Sequence, residues 1–219
     1  MNDKEKELQE LEKFYNNALV VNETSIIYKE FMISKTRDGL WRLDKYLGRQ
    51  DILKALNPNK SFPQHVKIPD FIQVIGTDSF EKYKERPLSV KIPNGVQIIE
   101  KRAFTGCYLL EGIKLPSSLK EIGNEAFSDC MLGQIYIPDN VEIIGREAFS
   151  LNSDMKSLSI PKDIYVGDWA FRGCGLKVKE SEATFTVRDK NGNSVSVCDI
   201  KQGCDPFRSS VFNCWYMDA

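Results

Sequence analysis

"IYIPDNVEIIGREAF", residues 135–149, is the stretch that decides the fold. Twenty-two residues earlier, at 113–127, the chain reads "IKLPSSLKEIGNEAF", and 23 before that, at 90–104, it reads "VKIPNGVQIIEKRAF". A phrase that returns at a fixed step marks a chain built by stacking one small unit on the next. Proline after an apolar residue recurs at Pro69, Pro93, Pro116, Pro138 and Pro161, with steps of 24, 23, 22 and 23. Phenylalanine after a small residue recurs at Phe80, Phe104, Phe127, Phe149 and Phe171, with steps of 24, 23, 22 and 22. Between them run apolar columns: Ile68, Ile92, Leu115, Ile137 and Ile160 before the prolines, and Ile75, Ile99, Ile122, Ile144 and Val166 before a turn. The turn position holds Gly76, Gly123, Gly145 and Gly167, with Glu100 as the exception in the second copy. Glycine there points to a positive φ or to a close backbone approach.

One copy of 22 to 24 residues cannot bury its own apolar columns. Stacked copies can, each covering the next, which makes a solenoid. "VKIP", "IKLP", "IYIP" and "LSIP" alternate apolar and exposed residues, the period of a strand. Proline ends each strand because it has no N–H for the ladder. These strands are expected to stack as one parallel sheet, and "GREAF" and "GNEAF" to form a short helical or 3₁₀ turn carrying phenylalanine inward.

The pattern I-x-I-P-x-x-V-x-x-I-G-x-x-A-F-x-x-C resembles the BspA-like class of bacterial leucine-rich repeats, over residues 66 to about 178. The first copy departs from it, with Ser79-Phe80 and Tyr83, and the fourth has Asn152 where cysteine is usual. The fold class expected is therefore a repeat solenoid: a leucine-rich-repeat-like right-handed superhelix, mostly β, with a parallel sheet on one face and a helical N-terminal cap. The resemblance also implies protein binding, of the adhesion type in secreted relatives, although fold alone does not give function.

A solenoid needs caps, because its end coils would otherwise expose core. Leu8, Leu11, Tyr15, Ala18 and Leu19 fall at helical spacing, so residues 1–23 are expected to form a capping helix. Residues 24–65 form a degenerate first coil, 66–180 five repeats plus a closing strand, and 181–219 a C-terminal cap. In that cap two alternating strands flank Asn191-Gly192, a hairpin signal. A short helix follows Asp205-Pro206, where an N-cap residue precedes proline. Asp189, Asn191 and Asn193 match the start of a calcium loop, but Ser194 replaces its glycine and no acidic residue closes it.

Three of the six cysteines, Cys107, Cys130 and Cys174, share one repeat position with Tyr83 and Asn152. A position that accepts tyrosine or asparagine does not demand a disulfide, so these are read as free thiols acting as small apolar side chains. Cys198, Cys204 and Cys214 lie outside the repeats and lack the spacing of a zinc site. His65 is the single histidine, so it builds neither a conventional triad nor a multi-histidine metal centre. Glu125 and Glu147 recur with the period and read as repeat positions. No catalytic motif is present, and neither enzyme activity nor a cofactor is expected.

Lys plus Arg number 30 and Asp plus Glu 31, so the balance does not favour nucleic acid. No run of 18 apolar residues spans a membrane. The start, "MNDKEKELQELEKF", lacks the apolar core of a secretory signal. As written the chain is expected in the cytoplasm, or secreted or at the cell surface if a leader is removed. The residue between the two apolar positions of each strand must point outward. Those residues are Lys67, Lys91, Lys114, Tyr136, Ser159 and, in the closing coil, Lys177. They are the predicted partner-binding row, basic and ended by an aromatic, suited to a protein segment or a glycan.

Overall fold

The arc from each column proline to the next column phenylalanine is ten or eleven residues long in every copy. The return arc is not constant: Phe80 to Pro93 takes 13, Phe104 to Pro116 takes 12, and Phe127 to Pro138 takes 11. In the computed structural model the constant arc carries the continuous sheet and the variable arc does not. The residues described are 18–20, 25–28, 31–47, 64–81, 88–108, 110, 113–161, 164–175, 184–188 and 194–195.

The described strands are, in order, β1 (Ala18–Val20), β2 (Ser25–Tyr28), β3 (Phe31–Lys35), β4 (Trp41–Tyr46) and β5 (Gln64–Lys67). Then come β6 (Val74–Ile75), β7 (Leu88–Lys91), β8 (Ile98–Ile99), β9 (Glu121–Ile122) and β10 (Gln134–Tyr136). The last are β11 (Ile143–Ile144), β12 (Ser157–Pro161), β13 (Tyr165–Val166), β14 (Thr184–Arg188) and β15 (Ser194–Val195). A nine-stranded sheet runs β1-β2-β3-β4-β6-β8-β9-β11-β13. Its first four strands are an antiparallel meander, and from β4 onward every pairing is parallel.

This corrects the expected sheet. The strands that enter the prolines form two separate pieces, β5-β7 and β10-β12-β14-β15, and Ile113–Pro116 of the third copy is not in a strand. Within each piece the register follows the prolines, Lys67 on Lys91 and Tyr136 on Ser159, and the pairing breaks at the third copy.

The start of the chain also differs from expectation. Of the stretch expected as a capping helix, residues 1–17 lie outside the described residues, and Ala18–Val20 form strand β1. Of the degenerate coil expected over residues 24–65, the described part supplies β2, β3 and β4 as an antiparallel meander, and residues 48–63 lie outside the described residues. It still feeds the columns. Leu43 pairs in register with Ile75, and the Tyr46 ring lies 5.4 Å from that of Phe80. At the far end β14 pairs parallel with β12, and β15 folds back antiparallel on β14. The first hairpin strand thus extends the solenoid sheet. The calcium-like loop, the C-terminal helix, Cys198, Cys204 and Cys214 lie outside the described residues.

Inside, the phenylalanines form one stack. Ring centroids are 4.5 Å apart from Phe80 to Phe104, then 5.1, 5.3 and 5.4 Å along to Phe171, with ring planes within 17° of parallel. All five rings are essentially fully buried. Among the described residues each of these rings stacks on its neighbours one coil away. The stacking energy therefore belongs to the interface between coils.

The expected helical turn before phenylalanine is instead two overlapping four-residue turns. In the fourth copy the Ala148 N–H donates to the Gly145 carbonyl and the Ser150 N–H to the Glu147 carbonyl. Between them Glu147 has φ +55°, and Asp78, Arg102, Glu125 and Trp169 repeat this at +53°, +54°, +57° and +58°. A left-handed residue ends any right-handed helix and costs on the order of 1 kcal/mol when it is not glycine. The return is a backbone ladder between coils. The Glu125 N–H reaches the Arg146 carbonyl at 2.9 Å, and the Phe127 N–H reaches the Ala148 carbonyl at 2.7 Å. The glycines stand elsewhere and for another reason. A Cβ on Gly123, Gly145 or Gly167 would lie 2.5–2.7 Å from atoms of the preceding coil, so close approach, not a positive φ, keeps them glycine.

The cysteine column is more than apolar filling. Cys130 Sγ donates to the Phe104 carbonyl at 3.1 Å, and Cys174 Sγ to the Phe149 carbonyl at 3.2 Å. In the copy between, Asn152 does the same work, its Nδ2 reaching the Phe127 carbonyl at 2.8 Å. The position thus demands a small donor aimed one coil back, which both residue types supply. All three cysteines are free and buried. Burial, with the neighbouring Cys107 second, pushes the Cys130 thiol far above its ordinary value. Because the thiolate is the reactive form, Cys107, Cys130 and Cys174 are expected to label slowly. Site-resolved labelling of native against denatured protein checks this; fast native labelling of all three would place them outside the core.

Candidate functional site

Two surfaces present side chains in rows, because every coil offers the same positions. On the proline-bounded strands, Lys67 and Lys91 face each other in register on β5 and β7, and both are exposed. Lys67 pairs with Asp70 at 3.7 Å, a contact so exposed that it contributes little. Lys114 is exposed but lies in the irregular third-copy segment. Beyond it Tyr136, 56% exposed, faces Ser159 in register on β10 and β12. The next register partner is Thr186 of β14. Lys177, assigned that place from sequence, lies outside the described residues. The predicted row is therefore two paired pieces, Lys67–Lys91 and Tyr136–Ser159, on either side of Lys114.

The second surface was not read from the sequence. Outward from the nine-stranded sheet point Ile98, Glu121, Ile143 and Tyr165, each in register with the next. One residue past the glycine column stand Lys101, Asn124, Arg146 and Asp168, on successive coils. Between these rows runs an open groove of about 430 Å³, lined by the bare backbone of Gly123, Gly145 and Gly167. At the second copy Glu100 replaces glycine. Its Oε2 accepts from the Thr77 N–H at 2.9 Å and from Thr77 Oγ1 at 3.0 Å, and its Oε1 lies 3.6 Å from Arg42. The signal that marks this surface in the sequence is the pair of columns flanking the glycines, which carry polar or aromatic residues in step with the period.

At the corner beyond the groove the coils are tied by charge. Arg102 grips Asp78 through Nε at 2.8 Å and Nη2 at 2.6 Å, and this hydrogen-bonded carboxylate raises the Arg102 pKa. Glu125 and Glu147 are engaged by Lys101 at 3.7 Å and Arg146 at 2.9 Å. The Arg146 and Arg172 guanidiniums lie 4.8 and 5.5 Å from the centre of the Trp169 ring, within cation–π range. His65 lies on β5 opposite Ser89. Among the described residues no group of three or more His, Cys, Asp or Glu side chains is placed to hold a metal ion. No helix among them is long and apolar enough to cross a membrane.

Solved structures share this coil. A leucine rich cell surface protein from Faecalibacterium prausnitzii is 22% identical with a TM-score of 0.60, and the match covers 81% of this chain and 41% of that one. The T. pallidum leucine rich repeat protein is 26% identical with a TM-score of 0.55, covering 73% of this chain and 69% of that one. The chain thus spans less than half the length of the F. prausnitzii protein it matches. No curated protein matches the chain as a relative. The family described as "BspA type Leucine rich repeat region" matches residues 73–201. Proline, phenylalanine and cysteine columns, stacked coils and this match over more than half of the sequence agree: the chain belongs to the BspA-type leucine-rich-repeat family.

Proposed function

We propose that the chain is a non-catalytic binding module that engages an acidic protein segment through the exposed lysine row. The observation that carries the reading is the register pair Lys67–Lys91, followed by exposed Lys114 and by exposed Tyr136. Coils locked to one another by backbone ladders fix the main chain that carries these groups, so a partner meets a backbone ordered in advance, while each lysine side chain still gives up rotamer freedom on binding. Exposed lysines one strand apart repel one another only weakly in water, so the row is cheap to maintain. Opposite charge laid along it would raise the encounter rate more than the final affinity.

Surface display belongs to the same reading, since the F. prausnitzii protein of similar fold is described as a cell surface protein. Buried thiols suit either compartment, because a thiol that water and oxidants do not reach does not report its surroundings.

The double substitution Lys91→Glu, Lys114→Glu is expected to leave the melting curve in place. It should weaken a partner captured from the native environment by roughly tenfold or more, and raising the salt to 0.5 M should do the same to the unsubstituted protein, at about a 4–5 Å screening length. A captured partner whose affinity ignores both changes would remove the lysine row as the site.

A further inference from the structure

We infer that the glycine-lined groove of the nine-stranded sheet binds a neutral, β-linked glycan chain laid across the coils. The inference does not depend on the lysine row, which lies on different strands.

The groove runs from coil to coil because Gly123, Gly145 and Gly167 sit on successive coils. The glycine backbone along it offers nothing to a peptide. The N–H groups of these glycines donate to the carbonyls of Ile99, Ile122 and Ile144 at 2.7, 2.7 and 2.8 Å. Their carbonyls accept from Ala126, Ala148 and Ala170 at 3.2–3.3 Å. Strand addition, the usual capture of an extended peptide, needs unpaired main-chain groups. A ligand in this groove is held by side chains.

Those side chains suit hydroxyl groups. The Glu121 carboxylate is half-buried and takes no hydrogen bond from the described residues. Asn124 uses its Oδ1 to accept from the Arg146 N–H at 2.9 Å, which leaves its amide N–H groups as donors. Acceptors and donors therefore stand on the two walls, as a sugar hydroxyl, at once donor and acceptor, requires. Tyr165, 57% exposed, stands in register beside Ile143, 41% exposed. Together they make an apolar platform for the C–H face of a pyranose, with the tyrosine hydroxyl at its wet edge. Acidic and basic groups are mixed along the groove, so it does not select a charged polymer.

Spacing decides between polymers. Over the coils that line the groove the phenylalanine rings repeat at 5.1–5.4 Å. An extended peptide advances about 3.3 Å per residue and falls out of step at once. A β-1,4-linked pyranose chain is straight and advances by close to one coil per sugar, each unit turned over relative to the last, so it stays in step with the coils and every second coil meets the same face. An α-linked chain curls and does not.

Isothermal titration of the whole chain with cellohexaose, chitohexaose and maltohexaose tests this. At least one β-linked hexasaccharide is expected to bind, more tightly than its trisaccharide, while maltohexaose does not. Tyr165→Ala is expected to weaken binding roughly tenfold, or about 1.4 kcal/mol. Glu121→Gln, which keeps the shape of the wall, should weaken it several-fold and carries the test if Tyr165→Ala unfolds. The Lys91→Glu, Lys114→Glu variant should bind the glycan unchanged even if it loses a protein partner. Absence of binding by both β-linked hexasaccharides overturns the inference. So does equal binding of maltohexaose, or binding indifferent to both groove substitutions.

Discussion

Phe127→Ala is expected to destabilise the fold by ~3–5 kcal/mol, the cost of deleting a large buried ring where the surroundings cannot collapse. The ring is fully buried and lies 5.1 Å from Phe104 on one side and 5.3 Å from Phe149 on the other. Its removal opens two coil interfaces at once. In a solenoid, stability is close to a sum of such nearest-neighbour terms, so a break in the middle uncouples the two halves. The melting midpoint should fall by roughly 10 °C and the transition should broaden. Ile143→Ala, on the exposed face of the neighbouring coil, is the control and should stay within about 0.5 kcal/mol. Equal melting curves for the two variants would show that the phenylalanine column does not hold the coils.

Asn152→Leu is expected to cost as much, although the two side chains are similar in size. Asn152 is fully buried and its amide serves four backbone groups, the longest contact being Nδ2 to the Ser150 carbonyl at 3.4 Å. Its Nδ2 donates to the carbonyls of Phe127 and Phe149, each at 2.8 Å, and its Oδ1 accepts from the Leu132 N–H at 2.9 Å. Leucine leaves the Phe127 carbonyl and the Leu132 N–H without this partner in a site closed to water, while Cys174 Sγ still reaches the Phe149 carbonyl, at ~1–3 kcal/mol for each buried group left unpaired, so about 3–5 kcal/mol in total. Asn152→Cys keeps a donor toward Phe127, the contact its neighbours in the column make, but loses the acceptor for Leu132. It should fall between, at about 1–2 kcal/mol. Denaturant unfolding of the three proteins gives the order directly. If leucine were tolerated better than cysteine, the column would be selected for volume and not for hydrogen bonding.

The repeat itself was legible because every inward column must hold its chemistry through all copies. Pro69 to Pro161 and Phe80 to Phe171 mark the coil, and the buried residues are the ones those columns name. The glycine column was legible as a constraint, but its cause was not. A sequence does not distinguish a glycine needed for its φ from one needed because Leu43, Glu100 or Gly123 of another coil presses against it. The left-handed corner escaped notice for a related reason: Asp78, Arg102, Glu125, Glu147 and Trp169 hold four residue types and share only a backbone angle. The cysteine column was placed correctly and interpreted too simply. Asn152 was the clue that the position wants a donor, but its acceptor, a carbonyl on the coil before, is a neighbour only after stacking.

The sequence by itself determined the coil, its period and the residues that face inward, because burial repeats and repetition is visible in one dimension. Which arc of the coil becomes the continuous sheet was decided in three dimensions. The arc from proline to phenylalanine pairs coil to coil from β4 to β13, whereas the strands that enter the prolines are interrupted at Ile113–Pro116, which leaves β5-β7 apart from β10-β12-β14-β15. The same interruption divides the lysine row. The groove beside Gly123, Gly145 and Gly167 exists only because coils pressed that closely leave a strip of bare backbone between two rows of side chains. Exposed rows carry no hydrophobic signature, so the stacking of the coils, and not the composition of any one of them, decides what a ligand meets.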